Sequence, residues 1–174
     1  RAVVRRQVDD AFSLTAREED REAVDDLTAE PFILASYAEK ASSPVLADSD
    51  YHAHLVDITR RLADETGLNV LLVPHGGGLP PALPTRDQLT NDQIAGEVGR
   101  ESVTSTRMLT ARELIALTEK AEFVIGTRYH AGIFAGAAAV PFISLVPNLY
   151  SSIRMRGAAE NVGMEQFVLP VDSV

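Results

Sequence analysis

An arginine and a histidine stand two residues apart in the segment FVIGTRYHAGIFAGAAAVPFISL, residues 123–145. Arg128 offers a planar fork of N–H donors that suits a carboxylate or a phosphate. His130 carries the one side chain in the turn whose ordinary pKa lies near neutrality, so it can donate to a phosphate or act as a general acid. The pair follows a short apolar run that reads as a strand and precedes an alanine–glycine run that reads as a helix. Gly126 is expected to permit the sharp turn between them, and Thr127 to cap the helix. The first helical N–H groups then point outward with partial positive charge. Together these features describe a cradle for a small anion. Residues two apart do not share a face of a regular helix. Arg128 and His130 therefore converge only if Arg128 lies in the turn and His130 on the first helical turn.

Further candidates lie on other loops. His75, in VPHGGG, stands just past the end of an apolar strand, and the glycines after it permit close approach of backbone to a ligand. That loop lacks the spacing of a phosphate-binding Walker loop or a dinucleotide fingerprint. Arg154 and Arg156 lie near the start of the last helix, from which either could reach the same crevice. His52 and His54 do not have the i, i+4 spacing of a helical zinc pair and read as surface histidines. Asp48-Ser49-Asp50 is a weak match to an acidic metal pair, and Asp50 is expected to cap a helix instead. No metal is expected.

These loops need a scaffold. Residues 1–14 read as a short strand and a turn, and 15–28 as an acidic surface helix with Thr15 as N-cap and Glu18 three later. Apolar strands are then predicted at 31–37, 69–74, 102–109, 122–126 and 141–146, with a short closing strand at QFVL. Helices are predicted between them: about Asp50 to Glu65, ended by Gly67; 91–100; ARELIALTEKA behind a Thr110–Glu113 capping box; YHAGIFAGAAA; and SIRMRGAAENVG. Strands alternating with helices at this spacing imply a Rossmann-like three-layer α/β domain with a mostly parallel sheet covered on both faces. Ligands of such sheets lie outside the carboxyl ends of the strands. That rule selects the loops 37–50, 74–90 and 126–130, with 146–152 as a fourth.

The chain has 174 residues, 45% of them hydrophobic, enough for one domain with a real core. It has no cysteine, so disulfides and thiolate metal sites are excluded. No apolar run approaches a membrane span, and no secretory signal pattern is present. The net charge is −9 and only two of the 16 basic residues are lysines, Lys40 and Lys120. A nucleic-acid partner is therefore not expected, and an anion site would be built locally from arginines. A chain that starts at Arg1 is expected to be a piece of a longer polypeptide.

The order of a capping-box helix, the 123–145 segment, a loop and then RMRGAAENVG resembles the C-terminal domain of the polysaccharide pyruvyl transferases. LLVPHG is similar to that family's earlier strand ending in Pro-His, and DDAFSL (9–14) to the segment leading into the domain. The resemblance runs from about residue 9 to the end, and its specific part is mainly 122–145. It implies that residues 15–174 are the C-terminal half of a two-domain, GT-B-like fold, with 1–14 leading in from a missing N-terminal domain. It also implies the reaction: pyruvate moves from phosphoenolpyruvate onto two hydroxyls of a sugar as a ketal, with release of phosphate and without a cofactor. Its partners would be phosphoenolpyruvate, a sugar or lipid-linked saccharide acceptor and the other domain. Its place would be the cytoplasm or the inner membrane face. The donor would be bound by Gly126, Thr127, Arg128, His130, His75 and Arg154, with Arg128 and His130 catalytic and His130 either acid or phosphate ligand. The chain departs from the family in two places. Arg154 stands where a lysine is usual, and GGGLPPALPTRD replaces the aspartates expected after the Pro-His strand, with Asp87 as a substitute. The same fold also admits a nucleotide-sugar glycosyltransferase half, or a non-catalytic binding domain.

Overall fold

The structure is a computed structural model that describes residues 8–79 and 86–174. Among them, six strands form one all-parallel sheet: β1 (Phe32–Ser36), β2 (Asn69–Leu72), β3 (Val103–Ser105), β4 (Phe123–Gly126), β5 (Phe142–Val146) and β6 (Val168–Pro170). Six α-helices accompany them: α1 (Glu18–Glu22), α2 (Asp48–Thr66), α3 (Asp87–Val98), α4 (Ala111–Thr118), α5 (Tyr129–Ala137) and α6 (Leu149–Ala159). The strand order is β3-β2-β1-β4-β5-β6, the doubly wound order of Rossmann-like sheets.

Alternation along the central strands divides the core in two. Phe32, Leu34, Leu71, Val73 and Val124 face a layer that includes Leu114, Leu117, Ile133, Phe134 and Met155 of α4, α5 and α6. Ile33, Ala35, Val70, Leu72 and Ile125 face Tyr51, Leu55 and Ile58 of α2 and Ile94 and Val98 of α3. Strands buried on both faces read as continuous apolar runs, which is why β1 is FILAS with every residue buried. No helix among the described residues is long and apolar enough to cross a membrane.

The expected elements recur, with differences at their ends. The Thr110–Glu113 capping box forms in both directions, Glu113 N–H donating to Thr110 Oγ1 at 3.2 Å and Thr110 N–H to Glu113 Oε2 at 2.6 Å. Gly67 ends α2 in the left-handed region at φ 68°. The third strand stops at Ser105, short of 109. Its last tie is the Thr106 N–H to Leu72 O at 3.0 Å, and β2 runs into Pro74, which has no N–H to extend the ladder. α3 starts earlier than expected, at Asp87, and ends at Gly99 with φ 62°.

The acidic segment is not one helix. α1 covers five residues, and Thr15 does not cap it; Arg17 is the N-cap, its N–H held by Asp20 at 2.8 Å. Val24 is fully buried in the core, and a turn of 3-10 helix at Asp25–Leu27 follows it. Pulling Val24 inward breaks the helical phase. Asp50 does not cap α2, which begins two residues earlier, at Asp48, after Ala47. The strand expected near the start falls largely on residues 1–7, outside the described residues; Asp10–Ser13 is a 3-10 turn.

Candidate functional site

The strand order reverses between β1 and β4, and the crevice of a doubly wound sheet opens at the carboxyl ends of those strands. There Ser36 and Gly126 are register partners. A Cβ on residue 126 would lie 2.1 Å from the Ser36 carbonyl oxygen. Gly126 is thus required by close approach of two backbones, not by the turn that the sequence suggested.

Thr127 does not cap α5. Arg128 is the N-cap residue, with extended backbone and no side-chain cap. Thr127 instead staples the two loops of the crevice. Its N–H donates to Ser36 O at 2.9 Å, and its Oγ1 accepts from the Ala38 N–H at 2.8 Å. Tyr51 adds its hydroxyl, 2.9 Å from Thr127 Oγ1 and donating to Ala38 O at 3.0 Å. Burial pushes the Tyr51 hydroxyl up to about 12, against the opposing pull of the Thr127 bond, so it stays a neutral donor.

Arg128 meets a carboxylate 41 residues away in sequence. Its Nε donates to Asp87 Oδ2 at 2.9 Å and its Nη2 donates to Oδ1. Asp87 is fully buried, and Oδ2 also accepts from the N–H groups of Gly76 at 2.7 Å and His75 at 3.1 Å. One buried carboxylate therefore joins the loops after β2 and β4. An arginine has five N–H donors. The side-on grip of Asp87 engages two of them, and among the described residues the other three meet no acceptor, on a side chain 31% exposed.

Arg128 lines a cleft of about 260 Å³ between the loop after β1, the start of α5 and the first half of α6. Arg154 lines it, its guanidinium carbon 4.3 Å from the Tyr129 ring centroid and 5.4 Å from that of Tyr150. Two aromatic faces hold this cation by its quadrupole attraction, and among the described residues no carboxylate pairs with it. Arg156 faces away, donating to Val168 O at 3.1 Å. Asn148 caps α6 through Ser151 N–H at 2.8 Å and reaches back to Ala41 O at 2.9 Å.

His75 and His130 line a second cleft, of about 320 Å³, with Phe134, Met108 and Leu114. His130 is exposed, its ring stacked 6.0 Å from Phe134 and edge-on 5.3 Å from Tyr129. His75 stacks 6.2 Å from the same Phe134. Its Nδ1 lies 2.6 Å from Ser36 Oγ and 3.3 Å from Val73 O. Burial pulls the His75 imidazole down to about 4, more than the Val73 carbonyl raises it, so it is neutral near pH 7.

All six expected site residues gather at the carboxyl end of the sheet, but not in one pocket. Thr127, Arg128 and Arg154 border the cationic cleft, and His75 and His130 the aromatic one. Asp87 links the two, since its carboxylate holds Arg128 and the His75 backbone together. Lys40 also lines the cationic cleft and was not singled out from sequence. The available signal was its place on the loop 37–50 in a chain with two lysines. His52 is a surface residue paired with Glu97 at 3.1 Å, as its spacing implied.

A family model, polysaccharide pyruvyl transferase, matches residues 3–148. No curated protein matches the chain. The match covers most of the 174 residues and includes β1 to β5, Asp87, Arg128 and His130; Arg154 lies beyond it. The chain belongs to the polysaccharide pyruvyl transferase family.

Proposed function

We propose that this member of the polysaccharide pyruvyl transferase family takes pyruvate from phosphoenolpyruvate, binds that donor in the cationic cleft, and forms a ketal on a sugar. The observation that carries the reading is one cleft lined by two arginines: Arg128, its guanidinium fixed by buried Asp87, and Arg154, with no carboxylate partner among the described residues. A donor with one carboxylate and one phosphate needs such preorganised cations. The cleft, about 260 Å³, lies below the roughly 300–1,000 Å³ of typical drug-sized sites. Its size favours a small acid over a nucleotide sugar.

The chemistry has two steps. In the first, a proton reaches the methylene carbon of the donor while a sugar hydroxyl adds to the carbon bearing the phosphate ester and gives up its own proton. In the second, a second hydroxyl forms its bond to that carbon, the bond to the phosphate oxygen breaks, and the proton released leaves with the phosphate. Arg128 and Arg154 bind the charged ends of the donor throughout. His130 stands at the boundary between the clefts, next to Tyr129, where it serves as the acid of the first step or as a phosphate ligand. His75, neutral and half-buried, lines the aromatic cleft and acts indirectly, its backbone N–H on the Asp87 carboxylate that holds Arg128. The acceptor is a sugar or lipid-linked saccharide, and the other wall of its site belongs to an N-terminal domain of a GT-B-like pair.

Thermal-shift titration of the full-length protein with phosphoenolpyruvate, a UDP-sugar and a GDP-sugar tests the reading. A ligand that binds only the folded state at 100 times its Kd stabilises by about 2.7 kcal/mol. Phosphoenolpyruvate alone is expected to raise the melting temperature. A shift with a nucleotide sugar and none with phosphoenolpyruvate would assign the cleft to glycosyl transfer instead.

A further inference from the structure

We infer that Lys40 is a ligand of the donor's phosphate, completing a three-cation site with Arg128 and Arg154. The inference rests on the donor reading above and adds a residue and a charge count to it. Among the described residues the cleft is lined by three cations, Lys40, Arg128 and Arg154, and by no Asp or Glu. In a chain of net charge −9 this is a strong local reversal of sign, and such a reversal concentrates anions. Of the three, only Arg128 is engaged by a carboxylate among the described residues. The two lysines of the chain differ in the same way: Lys120 pairs with Asp25 at 2.6 Å, whereas Lys40 has no carboxylate partner among the described residues.

The loop that carries Lys40 is held on both sides of it. Before it, the N–H of Ala38 is taken by Thr127 and its carbonyl by Tyr51, at 2.8 and 3.0 Å. After it, the N–H of Ala41 is taken by Asp48 Oδ1 and its carbonyl by Asn148 Nδ2, at 3.2 and 2.9 Å. Ser42 then sits at φ 49°, a region that non-glycine residues rarely occupy. Four side chains from three parts of the fold thus fix the backbone around an exposed Glu39–Lys40 tip, and of these two Lys40 lines the cleft. A phosphate dianion and a carboxylate together carry about three negative charges near neutral pH, and Lys40 and Arg154 beside an Arg128 already paired with Asp87 leave no surplus of positive charge. An ammonium is a compact point charge with three rotatable donors, which suits a phosphate oxygen, while the planar forks of the arginines suit the carboxylate.

The test is calorimetric titration of the full-length protein with phosphoenolpyruvate and, separately, with inorganic phosphate, using wild type, Lys40→Met, Lys40→Arg and Lys120→Met. Loss of one charged hydrogen bond weakens binding by about ten- to hundredfold. Lys40→Met is expected to weaken both ligands by that factor, Lys40→Arg to restore most of the affinity, and Lys120→Met to leave both unchanged. Lys40→Met that titrates like wild type overturns the inference while leaving the donor reading intact. If it loses phosphoenolpyruvate but keeps phosphate, Lys40 does not bind the phosphate and the assignment is wrong. Wild-type protein that binds neither ligand overturns the donor reading, and the Lys40 assignment with it.

Discussion

At the scale of single residues, Arg128 has two jobs that mutations separate. Its Nε and Nη2 neutralise the buried Asp87 carboxylate, and the residue also lines the cleft. Arg128→Ala leaves that carboxylate with only the N–H groups of His75 and Gly76. Breaking a buried pair from one side costs roughly 3–5 kcal/mol, and urea unfolding should read a loss of that order. Arg128→Lys keeps the charge but cannot hold Asp87 side-on and a donor end-on together. It should cost less stability, yet, on the proposed donor reading, weaken phosphoenolpyruvate binding by about ten- to hundredfold in calorimetric titration. At His130, Asn keeps a donor but cannot transfer a proton. If the imidazole is the acid, His130→Asn restores donor binding better than turnover; full turnover would make His130 a phosphate ligand only. His75 makes a pH prediction. Its folded pKa, about 4, lies below its ordinary 6.5, so the unfolded chain binds more protons between those values. Its contribution to stability is whole above about pH 6.5, falls as pH drops, and is gone below about 4. Unfolding free energies measured across this window should fall more steeply for wild type than for His75→Asn.

At the scale of elements, two glycines, one ending β4 and one inside α6, should respond in opposite directions. Gly126→Ala places a methyl 2.1 Å from the Ser36 carbonyl oxygen, where only separation of β1 from β4 relieves the clash. Overpacking of a core costs typically 1–3 kcal/mol, and a backbone obstacle puts this case at about 3 or more, with loss of the crevice. Gly157 lies exposed in α6, and a Cβ there meets nothing within 4 Å. Gly157→Ala should stabilise by roughly 0.5–1 kcal/mol through helix propensity and unfolded-chain entropy. Denaturant midpoints of the two variants on either side of wild type check both claims.

At the scale of the whole molecule, the strand order predicts a gradient of local stability. β1 pairs with β2 on one side and β4 on the other, whereas β3 and β6 are edges of three residues each. Amide exchange should be slowest at 32–36 and 123–126 and fastest at the two edges. The crevice then sits on the most persistent pair of strands, with its Lys40 and Arg154 walls carried by the loop after β1 and by α6.

The sequence alone determined the α/β class, the parallel sheet, the Thr110–Glu113 cap, the Gly67 stop and the loops that line the cationic cleft. Each of these is written in periodicity or in residues a few positions apart, and such interactions form wherever the chain goes. Arg128 and His130 were legible because a strand, a polar turn and a small-residue helix are contiguous. Among the assignments that went astray, three show tertiary packing overriding local preference. Val24 is drawn into the core and breaks the acidic helix, Thr127 serves the neighbouring loop instead of its own helix, and Gly126 answers to Ser36 across the sheet. Only the tertiary structure decided which charges meet. The Asp87–Arg128 pair spans 41 residues, and the division of the expected site into a cationic and an aromatic cleft depends on β2, β1 and β4 lying side by side. That adjacency is fixed by burial of both faces of the sheet, a property of the whole fold that no local spacing records.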